Sequence, residues 1–195
     1  MRRARVPGVE AADPDRQLVV DADGTRLLFT RPADVVTYVR EGVADVGVTG
    51  KDVLLEDGAG IVELLDLPLG RWRLAVAVPR DGPSWPRLLA QRGEALRVAT
   101  SYPRAAEAHF AARGLSPHVV RLRGAVELAA VVGLADCVVD MVDTGRTLAA
   151  HGLVEVERIA DVSLRLVVNT VSYRLRHAEV DALVRGLRRA LRTPD

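Results

Sequence analysis

Two segments nearly half the chain apart share one pattern, and that repetition limits the fold more than any other feature. Gly42-Val43-Ala44-Asp45-Val46-Gly47-Val48 is echoed by Gly133-Leu134-Ala135-Asp136-Cys137-Val138-Val139. Each leads into a Thr-Gly-basic triplet, Thr49-Gly50-Lys51 and Thr144-Gly145-Arg146. A short apolar run closed by Thr-Gly reads as a buried strand that feeds a helix. Two similar α/β lobes explain the echo; shared strand-turn-helix vocabulary is the alternative. Both triplets are expected at the C-terminal ends of parallel strands, where open α/β sheets bind ligands. There they would open helices and offer backbone N–H groups to an anion.

The rest of the chain alternates in the same way. Strands are expected at Arg26 to Thr30, Asp45 to Thr49, Ile61 to Asp66, Arg73 to Val78 and Leu96 to Thr100. Further strands follow at His118 to Leu122, Cys137 to Val142, Leu153 to Ile159 and Leu164 to Val168. Pro32 suits a first helical position, with Val35, Val36 and Val39 as the apolar stripe ending at Gly42. A helix is expected from Pro103 to about Arg113, stopping at Gly114. Another, His177 to Leu191, carries Val180, Leu183, Val184, Leu187 and Leu191 on one face. Strands alternating with helices predict a mainly parallel α/β sheet. The lobes are read as residues 1–79 plus 164–195, and 80–163. Turn clusters at Arg80-Asp81-Gly82-Pro83 and Asp161-Val162-Ser163 mark the crossings, a hinge on which a central cleft could open and close.

Composition narrows function by exclusion. A net charge of +1 leaves no broad electrostatic footprint for nucleic acid, so an anionic ligand must be held by placed groups. One cysteine, Cys137, rules out an internal disulfide framework and reads as inert core. The four histidines are scattered without zinc-type spacing, and His109 reads as packing or surface. No apolar run spans a membrane and no signal peptide is evident, so a cytoplasmic location is expected. Gly50-Lys51 is no Walker loop, because Asp52 stands where Ser or Thr belongs. Of the 27 basic residues only Lys51 is lysine. A site needing a compact point charge on a phosphate would resist Arg; chance survival on a solvated face is the alternative.

The strongest chemical segment is Asp140-Met141-Val142-Asp143-Thr144-Gly145-Arg146-Thr147-Leu148. A buried strand delivers two carboxylates, then a turn of hydroxyls, backbone N–H groups and an arginine. Such a turn can cradle a phosphate monoester while the acid accepts ribose hydroxyls, which is what a 5-phosphoribosyl group needs. A plain N-capped helix with Thr144 as cap is the alternative.

Glu127, Gly133-Leu134-Ala135-Asp136, Val138, Asp140, Thr144-Gly145 and Thr147-Leu148 together resemble the characteristic motif of ATP phosphoribosyltransferases. So do Arg31-Pro32-Ala33-Asp34-Val35, Gly42 through Leu54, Glu63 to Leu67, Arg97 to Pro103 and Gly152 to Val156. The resemblance runs from about Leu18 to Val168. It implies a two-lobed, periplasmic-binding-protein-like (type II) α/β fold with the active site in the cleft. It implies transfer of the 5-phosphoribosyl group of phosphoribosyl pyrophosphate to N1 of ATP, releasing pyrophosphate, with Mg2+ on the polyanionic substrate. By resemblance, Asp140, Asp143, Thr144, Gly145, Arg146 and Thr147 form the phosphoribosyl site. Gly50, Lys51, Asp52, Arg31, Arg73 and Tyr102 carry over to the pyrophosphate and ATP side. No protein metal ligand and no acid or base is assigned. A non-catalytic module that closes on a small anion or nucleotide is the other reading.

Two departures from the family pattern stand out. Met141 replaces a branched aliphatic residue. Family members also open with a strand, a Pro-Lys-Gly-Arg-like turn and a helix; Arg3 to Glu10 resembles the tail of that helix, so the strand and turn are expected to be missing. At the other end, long-form relatives continue into a regulatory domain. The resemblance here is to the short form, which pairs with a histidyl-tRNA-synthetase-like regulatory subunit in a hetero-oligomer built on dimers.

Overall fold

A computed structural model describes residues 18–22 and 24–192. Arg3 to Glu10, read above as the tail of a helix, lies outside the described residues. The chain divides into two units, one taking the chain up to Leu69 and from Ser163 on, the other Gly70–Val162. The first division falls at Leu69–Gly70, inside a strand.

The described part of unit 1 opens on an antiparallel hairpin, β1 (Val19–Ala22) and β2 (Thr25–Leu28), in which Val19 faces Leu28. Helix α1 (Pro32–Arg40) starts at the proline, whose missing N–H costs nothing in the first turn. Its Val36 and Val39 are fully buried. Strand β3 (Val46–Gly50) packs tightly beneath it: a Cβ at Gly47 would lie 2.5 Å from Val35 Cγ1. Helix α2 (Lys51–Asp57) follows without a break. The expected strands at 61–66 and 73–78 are one strand, β4 (Ile61–Pro79), and those at 153–159 and 164–168 are also one, β8 (Leu153–Asn169). Each belongs in part to both units.

β3 pairs antiparallel with the last part of β8, Val46 facing Val168 and Gly50 facing Leu164. Asn169 then caps helix α7 (Thr170–Leu175) by accepting from the N–H groups of Val171 and Ser172, while its amide donates to the carbonyls of Val39 and Arg40. Helix α8 (His177–Arg192) buries Val180, Val184 and Leu187 against Leu166 and Val168. Each such side chain contributes about 1.5–3 kcal/mol when fully buried.

Unit 2 contains helix α3 (Trp85–Arg92), strand β5 (Arg97–Thr100), helix α4 (Pro103–Ala111) and strand β6 (His118–Arg121). Helix α5 (Val126–Val131), strand β7 (Cys137–Val142) and helix α6 (Arg146–Ala150) complete it. β5 runs parallel to both β6 and β7, whereas β4 runs antiparallel to β7. The sheet is mixed, a correction to the mainly parallel expectation. Strands β4 and β8 enter as through-running strands and not by helical crossovers, so nothing forces them parallel to their neighbours.

Alternation along the strands sorts side chains into two cores. Leu74, Val76, Val98, Cys137 and Val139 meet Phe110 and Leu88 on one face. Ala75, Ala77, Ala99, Val138 and Val142 meet Ala129, Ala130 and Leu148 on the other. Met141 packs against the first core as a partly buried side chain, consistent with a mild exchange for a branched aliphatic residue. Among the described residues no helix is long and apolar enough to cross a membrane.

Candidate active site

β7 directs Asp140 to a definite side. Val138 and Val142 point into the core that α5 covers, so Asp140, between them in the alternation, shares that face. Its cross-strand neighbour is Ala75, which offers a methyl group and no donor. The carboxylate is half-buried, and Oδ1 accepts the Met141 N–H at 2.8 Å. Burial pushes the Asp140 carboxyl above its ordinary value. The Met141 N–H opposes this, and the Glu127 carboxylate on α5 reinforces it. Two acids thus face one region with few donors from the protein itself.

Past Val142 the chain turns outward. Asp143 and Thr144 are exposed, and Gly145 adopts φ +79°, a left-handed conformation that suits glycine. Gly145 is the N-cap of α6; Thr144 is not the cap. The Thr144 Oγ1 instead accepts from Arg146 Nε at 3.2 Å. The Thr147 side chain is exposed, and the Thr147 carbonyl lies 2.9 Å from His151 Nδ1. α6 has five residues and α2 seven, so the helix dipole expected at each triplet is small. What the turn offers is hydroxyls, backbone N–H groups and a guanidinium.

Arg73, at the β4 position facing Val142, ties this turn down. Its Nε donates to Glu155 Oε2 at 2.7 Å and Oε1 at 2.9 Å, and Nη2 lies 2.7 Å from Oε2. Its Nη1 donates to the Asp143 carbonyl at 2.6 Å. The hydrogen bond and charge of Glu155 hold the Arg73 guanidinium above its ordinary pKa. Glu155 was not singled out in the sequence as a site residue. Only the family-like Gly152 to Val156 segment pointed near it. Tyr102 opens α4 beyond β5, with its N–H donated to the buried Thr100 Oγ1 at 2.9 Å, and packs against the first core of unit 2.

In unit 1 the Thr49-Gly50-Lys51 triplet does open a helix, with Gly50 as the N-cap of α2. β3, however, is antiparallel to its partner β8, so the parallel-strand setting expected for this triplet is absent. Thr49 Oγ1 donates to the Pro32 carbonyl at 2.8 Å and fixes the end of β3 to the start of α1. The Asp52 carboxylate folds back over Gly50, where a Cβ would lie 2.0 Å from Asp52 Oδ1. Lys51 Nζ donates to Glu63 Oε2 at 2.7 Å and borders a cavity of about 150 Å³ with Leu54, Gly58, Ile61, Glu63 and Val167. Arg31 is the exposed N-cap residue of α1.

The sequence-predicted residues thus fall into two groups. Unit 1 carries Arg31, Gly50, Lys51 and Asp52. Unit 2 carries Arg73, Tyr102, Asp140, Asp143, Thr144, Gly145, Arg146 and Thr147. Arg73, expected with the nucleotide group, is bonded directly to the Asp143–Thr147 turn. Cys137 and His109 stay out of both groups. Burial pushes the Cys137 thiol up to about 12, and His109 packs edge-on against Phe110.

Comparison with known proteins gives the family and the fold. The family model described as HisG, ATP phosphoribosyltransferase, matches residues 31–189. An ATP phosphoribosyltransferase of Bacillus pumilus is 42% identical over 98% of this chain and 87% of its own length. One from Geobacillus kaustophilus is 46% identical over 92% of this chain and 84% of its own. A chain of the ATP phosphoribosyl transferase (HisG:HisZ) complex from Thermotoga maritima superposes with a TM-score of 0.77. It is 30% identical, covering 90% of this chain and 84% of that one. The periplasmic aliphatic sulphonate binding protein SsuA of Escherichia coli shares the fold alone, with a TM-score of 0.56 at 14% identity over 82% of this chain and 59% of its own. With the motif on β7 and its turn, with matches spanning nearly the whole chain, and with a type II α/β fold, this chain belongs to the ATP phosphoribosyltransferase family.

Proposed function

We propose that the Asp140–Thr147 segment holds the phosphoribosyl group in the reaction of this family. That reaction transfers the 5-phosphoribosyl group of phosphoribosyl pyrophosphate to N1 of ATP, the first step of histidine synthesis. Thr144, Arg146, Thr147 and the backbone N–H groups of the turn receive the 5′-phosphate. Asp140, with Asp143 beside it, accepts hydrogen bonds from the ribose hydroxyls. The observation that carries this reading is the half-buried Asp140 carboxylate standing immediately before an exposed turn of donors.

Departure of pyrophosphate builds positive charge on the ribose and negative charge on the leaving group. Carboxylates near the ribose suit the first, and fixed cations suit the second. Lys51 supplies a compact cation for the phosphates of ATP or of the leaving pyrophosphate, with Gly50, Asp52, Arg31 and Tyr102 on the nucleotide side. Arg73 serves the phosphoribosyl turn. Adenine N1 carries no proton to be removed before attack, so alignment is the main demand and no general base is needed.

Among the described residues no cluster of three or more His, Cys, Asp or Glu is gathered for a metal. We assign Mg2+ to the polyanionic substrate, where, bound through its phosphates, it would supply charge neutralisation for the leaving pyrophosphate.

The partner we assign is a histidyl-tRNA-synthetase-like regulatory subunit in a hetero-oligomer. The likeness to the Thermotoga maritima complex supports it. Pyrophosphate release from ATP and phosphoribosyl pyrophosphate, assayed with and without that subunit, tests the function. Turnover supports it. Binding of either substrate with no turnover in both mixtures would favour a binding module instead.

A further inference from the structure

We infer that Glu155 is a positioning residue for phosphoribosyl transfer: it fixes the Arg73 guanidinium so that Arg73 pins the Asp143 carbonyl and sets the shape of the turn from Asp143 to Thr147. This rests on the reading of that turn as the phosphoribosyl site.

The geometry is directional. Nε and Nη2 of Arg73 both meet the Glu155 carboxylate, a side-on fork that fixes the plane of the guanidinium. Once the plane is fixed, the direction of Nη1 is fixed too, and it meets the Asp143 carbonyl at 2.6 Å. A lysine could satisfy one of these acceptors but not hold three contacts in one plane. The pair is not a loose surface bridge, since the Arg73 and Glu155 side chains are only 24% and 26% exposed and both stand on strands. A bidentate, partly desolvated pair holds its geometry where an exposed one would not.

The turn needs such a pin. Gly145 is left-handed, and a Cβ there would lie 4.0 Å from Arg73 Nη2, so the guanidinium rests against the point where the chain reverses. The contact between Arg146 and the Thr144 hydroxyl is local and exposed. Arg73 links the turn to strands on the other side of the sequence.

The test uses steady-state kinetics of the complete enzyme, with thermal melts of each variant. Glu155→Gln keeps the size of the side chain and removes its charge. It is expected to raise the KM for phosphoribosyl pyrophosphate roughly tenfold, the scale of one weakened charge-assisted contact. The KM for ATP and the melting temperature are expected to change little. Glu155→Asp should recover part of the loss. In an Arg73→Lys background, Glu155→Gln should add nothing, because its effect runs through Arg73. An unchanged KM for phosphoribosyl pyrophosphate in Glu155→Gln would overturn the inference. So would a full additive loss in the double variant, or an equal loss for both substrates with a lowered melting temperature. Thr144→Ala with Thr147→Ala separates the two levels of the argument. If that variant weakens binding and Glu155→Gln does not, positioning fails and the turn assignment stands. If neither does, the turn assignment has failed.

Discussion

Lys51 Nζ and Glu63 Oε2 are 2.7 Å apart, and the same Glu63 also accepts from Arg165 at 2.9 Å. Arg165 also meets Asp66 Oδ2 at 3.1 Å, so Lys51 is held at the edge of a network of two cations and two carboxylates. Arg at position 51 would bring a planar fork that suits the Glu63 carboxylate better than a phosphate oxygen. Lys51→Arg is expected to lower kcat/KM by about tenfold or more, equivalent to one lost directed contact. The exposed Arg158→Lys should leave it unchanged. Steady-state assay of the two variants side by side checks this; equal kinetics would return Lys51 to a solvated face.

Asp140 carries an electrostatic cost in the fold. Its folded-state carboxyl is raised by burial and by Glu127, so the ionised form is disfavoured in the folded chain. Its contribution is complete below the unfolded value and is lost as pH rises through the folded one. Asp140→Asn removes that cost and can still accept the Met141 N–H. Urea melts should therefore find the variant more stable than the parent at pH 7, with the gap closing in acid. The same variant should bind phosphoribosyl pyrophosphate more weakly. A less stable variant at pH 7 would contradict the electrostatic account.

Asp136 has the opposite sign. Burial pushes its carboxyl up, but hydrogen bonds from the Arg97 side chain and N–H and the charges of Arg92 and Arg97 prevail, leaving it below its ordinary 3.8. The carboxylate is 5% exposed and meets Arg97 Nη2 and Arg92 Nη2, each at 3.0 Å. Asp136→Ala should cost about 1–3 kcal/mol at pH 7, the penalty of leaving such donors unpaired. A depressed carboxyl stabilises above its unfolded value and loses that contribution as pH falls through the folded one. The difference between parent and variant should thus shrink below about pH 4. Denaturant titrations at several pH values follow it.

Gly47 is a packing constraint. A Cβ there would lie 2.5 Å from Val35 Cγ1 and 2.8 Å from Val39 Cγ2, and Val39 is fully buried. Gly47→Ala must push α1 off β3, at about 1–3 kcal/mol for overpacking a filled core. Val35→Ala in the same chain should recover part of the loss. Melting of the single and double variants measures both.

Much of this was legible along the chain because it is written locally. Pro32, the Val36–Val39 stripe, the β7 run and the α8 face each declare themselves within a few turns or one strand. The motif on β7 and its turn is equally local, so its residues could be named in advance. Strand direction was not legible, because apolar alternation gives a strand and a face but no partner. The strands expected at 61–66 and 73–78 are continuous, because β4 runs through Pro68 and Gly70, Gly70 at φ +63° with the Trp72 ring folded over it. Arg73 was carried to the nucleotide side by resemblance alone, and its contacts were not legible because its partners are remote: Glu155 and the Asp143 carbonyl are 82 and 70 positions away. No spacing rule connects residues that only the sheet brings together.

The direct test of the whole account is the affinity for phosphoribosyl pyrophosphate, measured by titration calorimetry on the parent and on Thr144→Ala with Thr147→Ala. The account predicts at least about a tenfold loss, the scale of one charge-assisted hydrogen bond to phosphate, with an unchanged melting temperature. Equal affinity in the two proteins would contradict it.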